Sequence, residues 1–148
     1  MTLLPPRLKI YFAASIRGGR ADQEKYNQLI HFLSSNVEVL TEHVGDASIG
    51  STGEKDLQER DIHQRDLKWL TAADAVVAEV TTPSLGVGYE LGIAEKMNKP
   101  TLCLYEDTNE DRKLSAMISG NPKFRTFHYH DLDQAKEEII SFIHSISL

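Results

Sequence analysis

The chain has 148 residues, a formal net charge of −6 at pH 7, 41% hydrophobic residues and one cysteine. Its length fits a single domain over residues 1–148, and its apolar content excludes a chain that is disordered throughout. The acidic balance excludes nucleic acid and membrane surfaces as main partners, and one cysteine excludes an internal disulfide. Because no apolar run has the length of a membrane span or signal peptide, we expect an intracellular protein of the cytoplasm, and a nuclear location is left open.

The first half of the chain alternates apolar runs with amphipathic stretches. Residues 9–14 form a short apolar run that predicts a strand, and apolar residues then recur at helical spacing over residues 26–33. A second strand is predicted over residues 37–40. A polar stretch with several glycines predicts an exposed loop over 45–54, and a helix follows from about residue 56 to 73.

The second half repeats this alternation. Residues 75–80 are rich in β-branched side chains, which is typical of a buried parallel strand. A loop with Pro83 covers residues 81–84, and a helix is predicted over 86–97. The remaining predicted elements are a strand, a short helix, a strand and a closing helix, over residues 100–105, 114–118, 124–129 and 134–145.

Apolar strands that alternate with helices must be covered on both faces. The pattern therefore predicts an α/β fold, a three-layer, doubly wound sheet of five parallel strands of the Rossmann or flavodoxin type. In such sheets ligands bind beyond the carboxyl ends of the strands, where the strand order reverses. We therefore expect the site at the loops after the first and third strands.

These two loops contain the components of an anion site. The loop after the third strand contains Ser84 and Gly86. The loop after the first strand contains Ser15, Ile16, Arg17, Gly18 and Gly19. A hydroxyl, a guanidinium, glycines and a helix N-terminus most often bind phosphate, and the alternative is an ordinary β–α turn with a solvent-facing arginine.

Two carboxylates, Asp66 and Glu90, fall on the apolar faces of predicted helices. An acid is costly to bury unless it is paired, hydrogen-bonded or protonated, so two such acids near one crevice favour a catalytic function. The alternative for each is a structural acid that bonds to a neighbouring backbone group, to His63 or to Arg65.

The predicted surroundings of the two acids differ. Glu90 lies close to a helix start, where we expect the helix dipole to keep it ionised. Asp66 lies in mid-helix beside Trp69, where we expect desolvation to raise its pKa. One ionised and one protonated acid can break a glycosidic bond. Tyr11 could orient Glu90 by a hydrogen bond, although a core tyrosine is the alternative.

Other candidates for catalysis are weaker. The six histidines lack the spacing of metal ligands, so we predict no metal site. Cys103 lies inside a predicted strand and is expected to be a small core residue.

Several segments together identify a family resemblance. They include IYFAASIRGGR from residue 10, TEHV from 41, HQRDLKWL from 63, PSLGVGYELG from 83 and LSAMI from 114. In order and spacing they resemble the 2′-deoxynucleoside 5′-phosphate N-hydrolase (Rcl) family, a branch of the nucleoside 2-deoxyribosyltransferases. Two departures are Ala13-Ala14, where Cys-Gly is expected, and residues 45–60, which match little and leave base preference open.

The resemblance implies a role for each catalytic candidate. Glu90 would be the nucleophile that forms a covalent deoxyribosyl 5-phosphate intermediate. Asp66 would assist departure of the base and then activate water, and Tyr11 would position Glu90. No metal or organic cofactor is implied.

The resemblance also implies the binding residues. The 5′-phosphate would be held by Ser15, Arg17, Gly19, Ser84 and Gly86. Ile16 would pack on the base, and Ser115 and Met117 would reach the site of the partner subunit in a homodimer.

Three alternative functions remain open at this point. They are hydrolysis of ribonucleoside 5′-monophosphates, transfer of deoxyribose to a second base, and nucleotide sensing without catalysis. The resemblance favours deoxyribose because Tyr11 stands where a 2′ substituent would compete. The anion loop favours a phosphorylated substrate.

Overall fold

The computed structural model describes residues 7–16, 20–41, 58–108 and 112–147. Strands and helices alternate within these ranges. The strands are β1 (Lys9–Ala14), β2 (Glu38–Val39), β3 (Ala75–Glu79), β4 (Thr101–Glu106) and β5 (Phe124–Tyr129). The helices are α1 (Arg20–Ser34), α2 (Glu59–Ala72), α3 (Leu85–Lys96), α4 (Ala116–Ser119) and α5 (Leu132–Ile146).

The five strands form one parallel sheet with the order β2-β1-β3-β4-β5. The predicted fold class is therefore confirmed. The strand order reverses between β1 and β3, and the register pairs Ala14 with Glu79 and Glu79 with Leu104. The carboxyl ends of β1, β3 and β4 consequently lie at one edge of the sheet, which is where ligands bind in folds of this type.

The hydrophobic core lies on both faces of the sheet, because successive strand residues point to opposite sides. One cluster contains Phe12 and Ile139 and packs beneath α1 and α5. The other contains Tyr11, Leu91 and Cys103 and packs beneath α2 and α3. The three predicted layers are therefore present. Among the described residues, none of the helices combines the length and apolar character needed to cross a bilayer.

Capping side chains set several helix boundaries. Ser84 caps α3, because its hydroxyl oxygen accepts a hydrogen bond from the Val87 N–H at 3.3 Å. Asp131 caps α5 in the same way, so this helix begins two residues before its predicted start. Helix α2 begins at Glu59, and Gln58 is the residue that precedes its first turn. The predicted loop 45–54 and residues 56 and 57 of the predicted helix lie outside the described residues.

Candidate active site

Tyr11, Glu90 and Asp66 are brought together on the side of the sheet covered by α2 and α3. Tyr11 lies near the carboxyl end of β1, and only 2% of its surface is exposed. Its hydroxyl donates a hydrogen bond to the Glu90 carboxylate, and the charge of Asp66 acts on both groups. The three residues that the sequence singled out from different elements therefore form one cluster.

Burial controls the ionisation of Glu90. It raises the pKa of this carboxyl to about 7; the Tyr11 hydrogen bond opposes the shift, and the negative charge of Asp66 adds to it. The prediction that a helix start keeps Glu90 ionised is therefore wrong in direction. Because α3 begins at Leu85, Glu90 lies in its second turn, beyond the reach of the helix dipole.

Asp66 is paired with a cation. Arg65 Nε donates a hydrogen bond of 3.0 Å to Asp66 Oδ1, and one fifth of the Asp66 side chain is exposed. The Arg65 guanidinium also lies 4.8 Å from the centre of the Trp69 ring. The predicted apolar setting of Asp66 is therefore wrong, and the alternative of pairing with Arg65 is what the structure contains.

Tyr11 remains a hydrogen-bond donor. Burial raises the pKa of its phenol, and the negative charges of Glu90 and Asp66 raise it further. A neutral phenol beside a carboxylate can donate one hydrogen bond and fix the orientation of that carboxylate. The geometry therefore suits the predicted orienting role of Tyr11.

The loop after β3 lies beside this cluster. A Cβ atom at Gly86 would be 3.8 Å from the hydroxyl oxygen of Ser84 and 4.0 Å from Oε1 of Glu90. Ser84 and Gly86 thus border the carboxylate, and the first turn of α3 offers backbone N–H groups at the same place.

The loop after β1 is described only in part. Ser15 is buried directly after the strand, and Ile16 is half-buried against the core cluster of Phe12. Arg17, Gly18 and Gly19 lie outside the described residues. The helix that follows, α1, begins at the same edge of the sheet as α3.

Ser115 and Met117 lie apart from the carboxylate cluster. Ser115 caps α4, accepting a hydrogen bond of 3.2 Å from the Met117 N–H, and the Met117 side chain is 83% exposed. Both border a groove of about 720 Å³ between α3 and α4, whose lining also includes Ser84 and Leu85. Tyr11, Asp66 and Glu90 are not among its lining residues. Ser84 also borders the Glu90 carboxylate, so the groove adjoins the cluster at Ser84.

Two further contacts were missed by the sequence patterns. His63, considered as a partner for Asp66, instead has its Nε2 atom 3.4 Å from the Tyr89 hydroxyl, which joins α2 to α3 beside the cluster. Glu79 ends β3 and is fully buried among hydrogen-bond donors. The available signal was a carboxylate at the end of an otherwise apolar strand.

Comparisons with known proteins agree with this architecture. The family model for nucleoside 2-deoxyribosyltransferase matches residues 10–130. The chain is 51% identical over 132 residues to a 5-hydroxymethyl-dUMP N-hydrolase of Tetraodon nigroviridis, covering 88% of this chain and 92% of that protein. The Homo sapiens protein of that name is 47% identical over 137 residues, covering 92% of this chain and 78% of that protein. The solution structure of BlsM superposes with a TM-score of 0.73 and 23% identity, covering 95% of this chain and 91% of BlsM.

Proposed function

This chain belongs to the nucleoside 2-deoxyribosyltransferase family, and we propose that it hydrolyses the N-glycosidic bond of 2′-deoxynucleoside 5′-monophosphates. The products are the free base and 2-deoxyribose 5-phosphate. Relatives of about half identity along most of the chain are named N-hydrolases, so the chain is a hydrolase. These relatives are named for 5-hydroxymethyl-dUMP, so this nucleotide is the first substrate that we propose. The convergence of Glu90, Asp66 and Tyr11 supports this reaction most directly.

Glu90 is the proposed nucleophile of the first step. An oxygen of its carboxylate forms a bond to C1′ while the bond from C1′ to the base nitrogen breaks. The electron pair of the broken bond goes to the base, and Asp66, which is protonated in the reactive form of the enzyme, delivers its proton to the base and is left as a carboxylate. Because burial raises the pKa of Glu90 to about 7, the nucleophile loses its proton within the neutral pH range.

Water completes the reaction in the second step. It attacks C1′ from the side that the base has left, Asp66 accepts a proton from it, and Glu90 leaves as a carboxylate. Two displacements at one carbon retain its configuration. Arg65, held on the Trp69 ring, contacts the Asp66 carboxylate and favours its negative charge after proton transfer to the base.

Tyr11 is proposed to orient Glu90 and to favour deoxyribose. Its hydroxyl is buried and bonded to Glu90, so the space beside the nucleophile is already occupied. A 2′-hydroxyl on the substrate would compete for this hydrogen bond. Deoxyribose lacks that group and leaves the bond intact.

We assign the 5′-phosphate to the neighbouring loops. Ser84 and Gly86 stand beside Glu90 at the start of α3, and Ser15 follows β1 at the same edge. The family resemblance adds Arg17 and Gly19, which lie outside the described residues. An anion at a helix N-terminus is favoured by free N–H groups and by the helix dipole.

We also propose a homodimer in which Ser115 and Met117 complete the site of the partner subunit. The Met117 side chain is 83% exposed and the Leu85 side chain 97%, and both border the groove between α3 and α4. Large apolar side chains with this exposure are typical of interfaces. Light scattering after gel filtration measures the oligomeric state. The double variant Leu85→Lys with Met117→Lys should be a monomer and lose activity. A monomeric wild type with full activity would contradict the dimer.

A substrate panel tests the proposed reaction. Purified protein is incubated with 5-hydroxymethyl-dUMP, the common deoxynucleoside and ribonucleoside monophosphates and the matching nucleosides, and free base is measured by chromatography. We expect release from deoxynucleoside monophosphates at least about tenfold faster than from the other classes. Faster release from CMP or UMP would overturn the choice of deoxyribose.

The same panel separates the remaining alternatives. Binding without release of any base would identify a nucleotide-sensing protein. If adding a second free base yields a new nucleotide in place of sugar phosphate, the protein is a transferase. The proposed hydrolase gives equal amounts of free base and 2-deoxyribose 5-phosphate whether or not a second base is added.

A further inference from the structure

A second cluster of charged side chains lies at the carboxyl edge of the sheet, and the proposed mechanism does not use it. Glu79 is its fully buried centre. Its Oε1 accepts a hydrogen bond of 2.8 Å from the Thr81 N–H, and its Oε2 accepts one of 3.0 Å from the Thr81 hydroxyl. The Tyr129 hydroxyl also donates to Oε2, and Lys25 Nζ lies 3.3 Å from that atom. Among the described residues, each hydrogen-bond or ion-pair partner of this carboxylate is a donor or a cation.

These bonds fix the chain that leads to Ser84. The Thr81 hydroxyl donates to Glu79 and accepts a hydrogen bond of 2.7 Å from the Glu106 N–H. The next residue, Thr82, donates its hydroxyl to the carboxylate of Asp22 on α1. Thr81 is therefore fixed by the sheet and Thr82 by α1, shortly before Ser84 caps α3.

Lys25 extends the cluster to α1. Its Nζ lies 3.1 Å from a carboxylate oxygen of Glu106 and 3.7 Å from one of Asp22, in addition to Glu79. Burial alone would lower the pKa of Lys25, but the surrounding carboxylates raise it above its ordinary value. Asp22 and Lys25 belong to the first two turns of α1. The cluster thus connects the starts of α1 and α3.

We propose that Glu79 is a positioning residue for phosphate binding, because its carboxylate sets the distance between the loop that carries Ser84 and the first turns of α1. This inference rests on the proposed function, in which the 5′-phosphate lies at these two helix starts. A hydrogen-bonding site for an anion loses affinity when its donors are displaced by fractions of an ångström. In the described part of the chain, Glu79 has no hydrogen bond or ion pair with Tyr11, Asp66 or Glu90, so its influence should fall on affinity.

Replacing Glu79 by glutamine tests the proposal. In Glu79→Gln the amide NH₂ must face either the Thr81 N–H or the Lys25 ammonium, and neither of these groups can accept a hydrogen bond. We expect the Kd for 2-deoxyribose 5-phosphate, measured by calorimetry, to rise about tenfold. KM for the nucleotide should rise similarly, while kcat stays within about threefold of wild type.

A matched pair of milder variants separates positioning from stability. Thr82→Val removes the bond between the loop and α1, and Tyr129→Phe removes a bond to Glu79 from the β5 side. Both should lower the thermal midpoint. Only Thr82→Val should weaken binding of 2-deoxyribose 5-phosphate, by about threefold or more. This pair carries the test if Glu79→Gln does not fold.

The outcomes separate this inference from the proposed function. Unchanged affinity in Glu79→Gln, or in Thr82→Val if the first variant does not fold, would overturn the positioning role. So would equal loss of affinity in Thr82→Val and Tyr129→Phe, since that pattern indicates loss of stability alone. A wild type that binds 2-deoxyribose 5-phosphate but releases no base would refute the proposed function, and the comparison of Kd values would still decide the role of Glu79.

Discussion

Two glutamates at the same edge of the sheet have opposite surroundings. Glu79 is enclosed by a backbone N–H, two hydroxyl groups and the ammonium of Lys25. Glu90 is partly buried, but in the described part of the chain its hydrogen-bond donor is the Tyr11 hydroxyl, and Asp66 adds a repelling charge. Both carboxylates are thus shielded from solvent to some degree, but Glu79 has more hydrogen-bond donors around it than Glu90.

This difference separates an acid that holds the fold from an acid that can react. A carboxylate with several donors has its lone pairs occupied, so its oxygens are poor nucleophiles and its negative charge is stabilised. A carboxylate with few donors keeps a free lone pair and is easily protonated, at a cost in stability. Glu79 fits the first description and Glu90 the second.

Neutralising Glu90 is the most direct test of the difference between the two glutamates. Glu90→Gln removes the nucleophile, so kcat for base release should fall by about 10³-fold or more while the protein stays folded. Release of free base and circular dichroism are the two measurements. Glu138→Gln is the matched control, since Glu138 is a partly buried helical glutamate bonded to Arg125 at 2.7 Å, and it should keep wild-type kcat.

Neutralising Asp66 should produce a smaller effect of a different kind. The charge of Asp66 raises the pKa of Glu90, so Asp66→Asn should move the acid limb of the profile of kcat/KM against pH below its wild-type position near 7. The rate above this limb should fall about 100-fold, because proton delivery to the base is lost. An unmoved limb would show that Asp66 does not act on Glu90.

The smallest expected effect concerns stability. The pKa of Glu90 is about 7 in the folded state and 4.5 ordinarily, so the folded state binds its proton more tightly. Stability is therefore lost as pH rises from about 4.5 to 7 and stays lower above that range. Glu90→Gln lacks this loss and should exceed wild type by about 1–3 kcal/mol at pH 8, with a smaller gain at pH 5. Urea unfolding at both pH values measures the difference, and equal gains would contradict it.

The fold could be predicted from the sequence because each strand and helix carries its own periodic signal. The alternation of apolar strands and amphipathic helices predicted the five-stranded parallel sheet and the edge at which the acids meet. Helix starts at α3 and α5 were less predictable, since they depend on the caps Ser84 and Asp131.

The environment of the site was harder to predict than its members. Helix periodicity placed Glu90 and Asp66 on inward faces, and that was enough to bring them to one crevice. Periodicity could not show that the side chain of Arg65 would donate a hydrogen bond to the carboxylate of its neighbour Asp66. Nor could it show which donors reach Glu79, because three of them come from α1, β5 and the loop after β3.

The buried position of Cys103 on β4 has a practical consequence. This thiol is the chain's single cysteine and is fully covered, and burial raises its pKa to about 12. The thiolate is the nucleophile that attacks an alkylating reagent, so this sulfur can be modified only after the sheet opens around it. The rate of alkylation therefore reports the opening of the native sheet, with no engineered label.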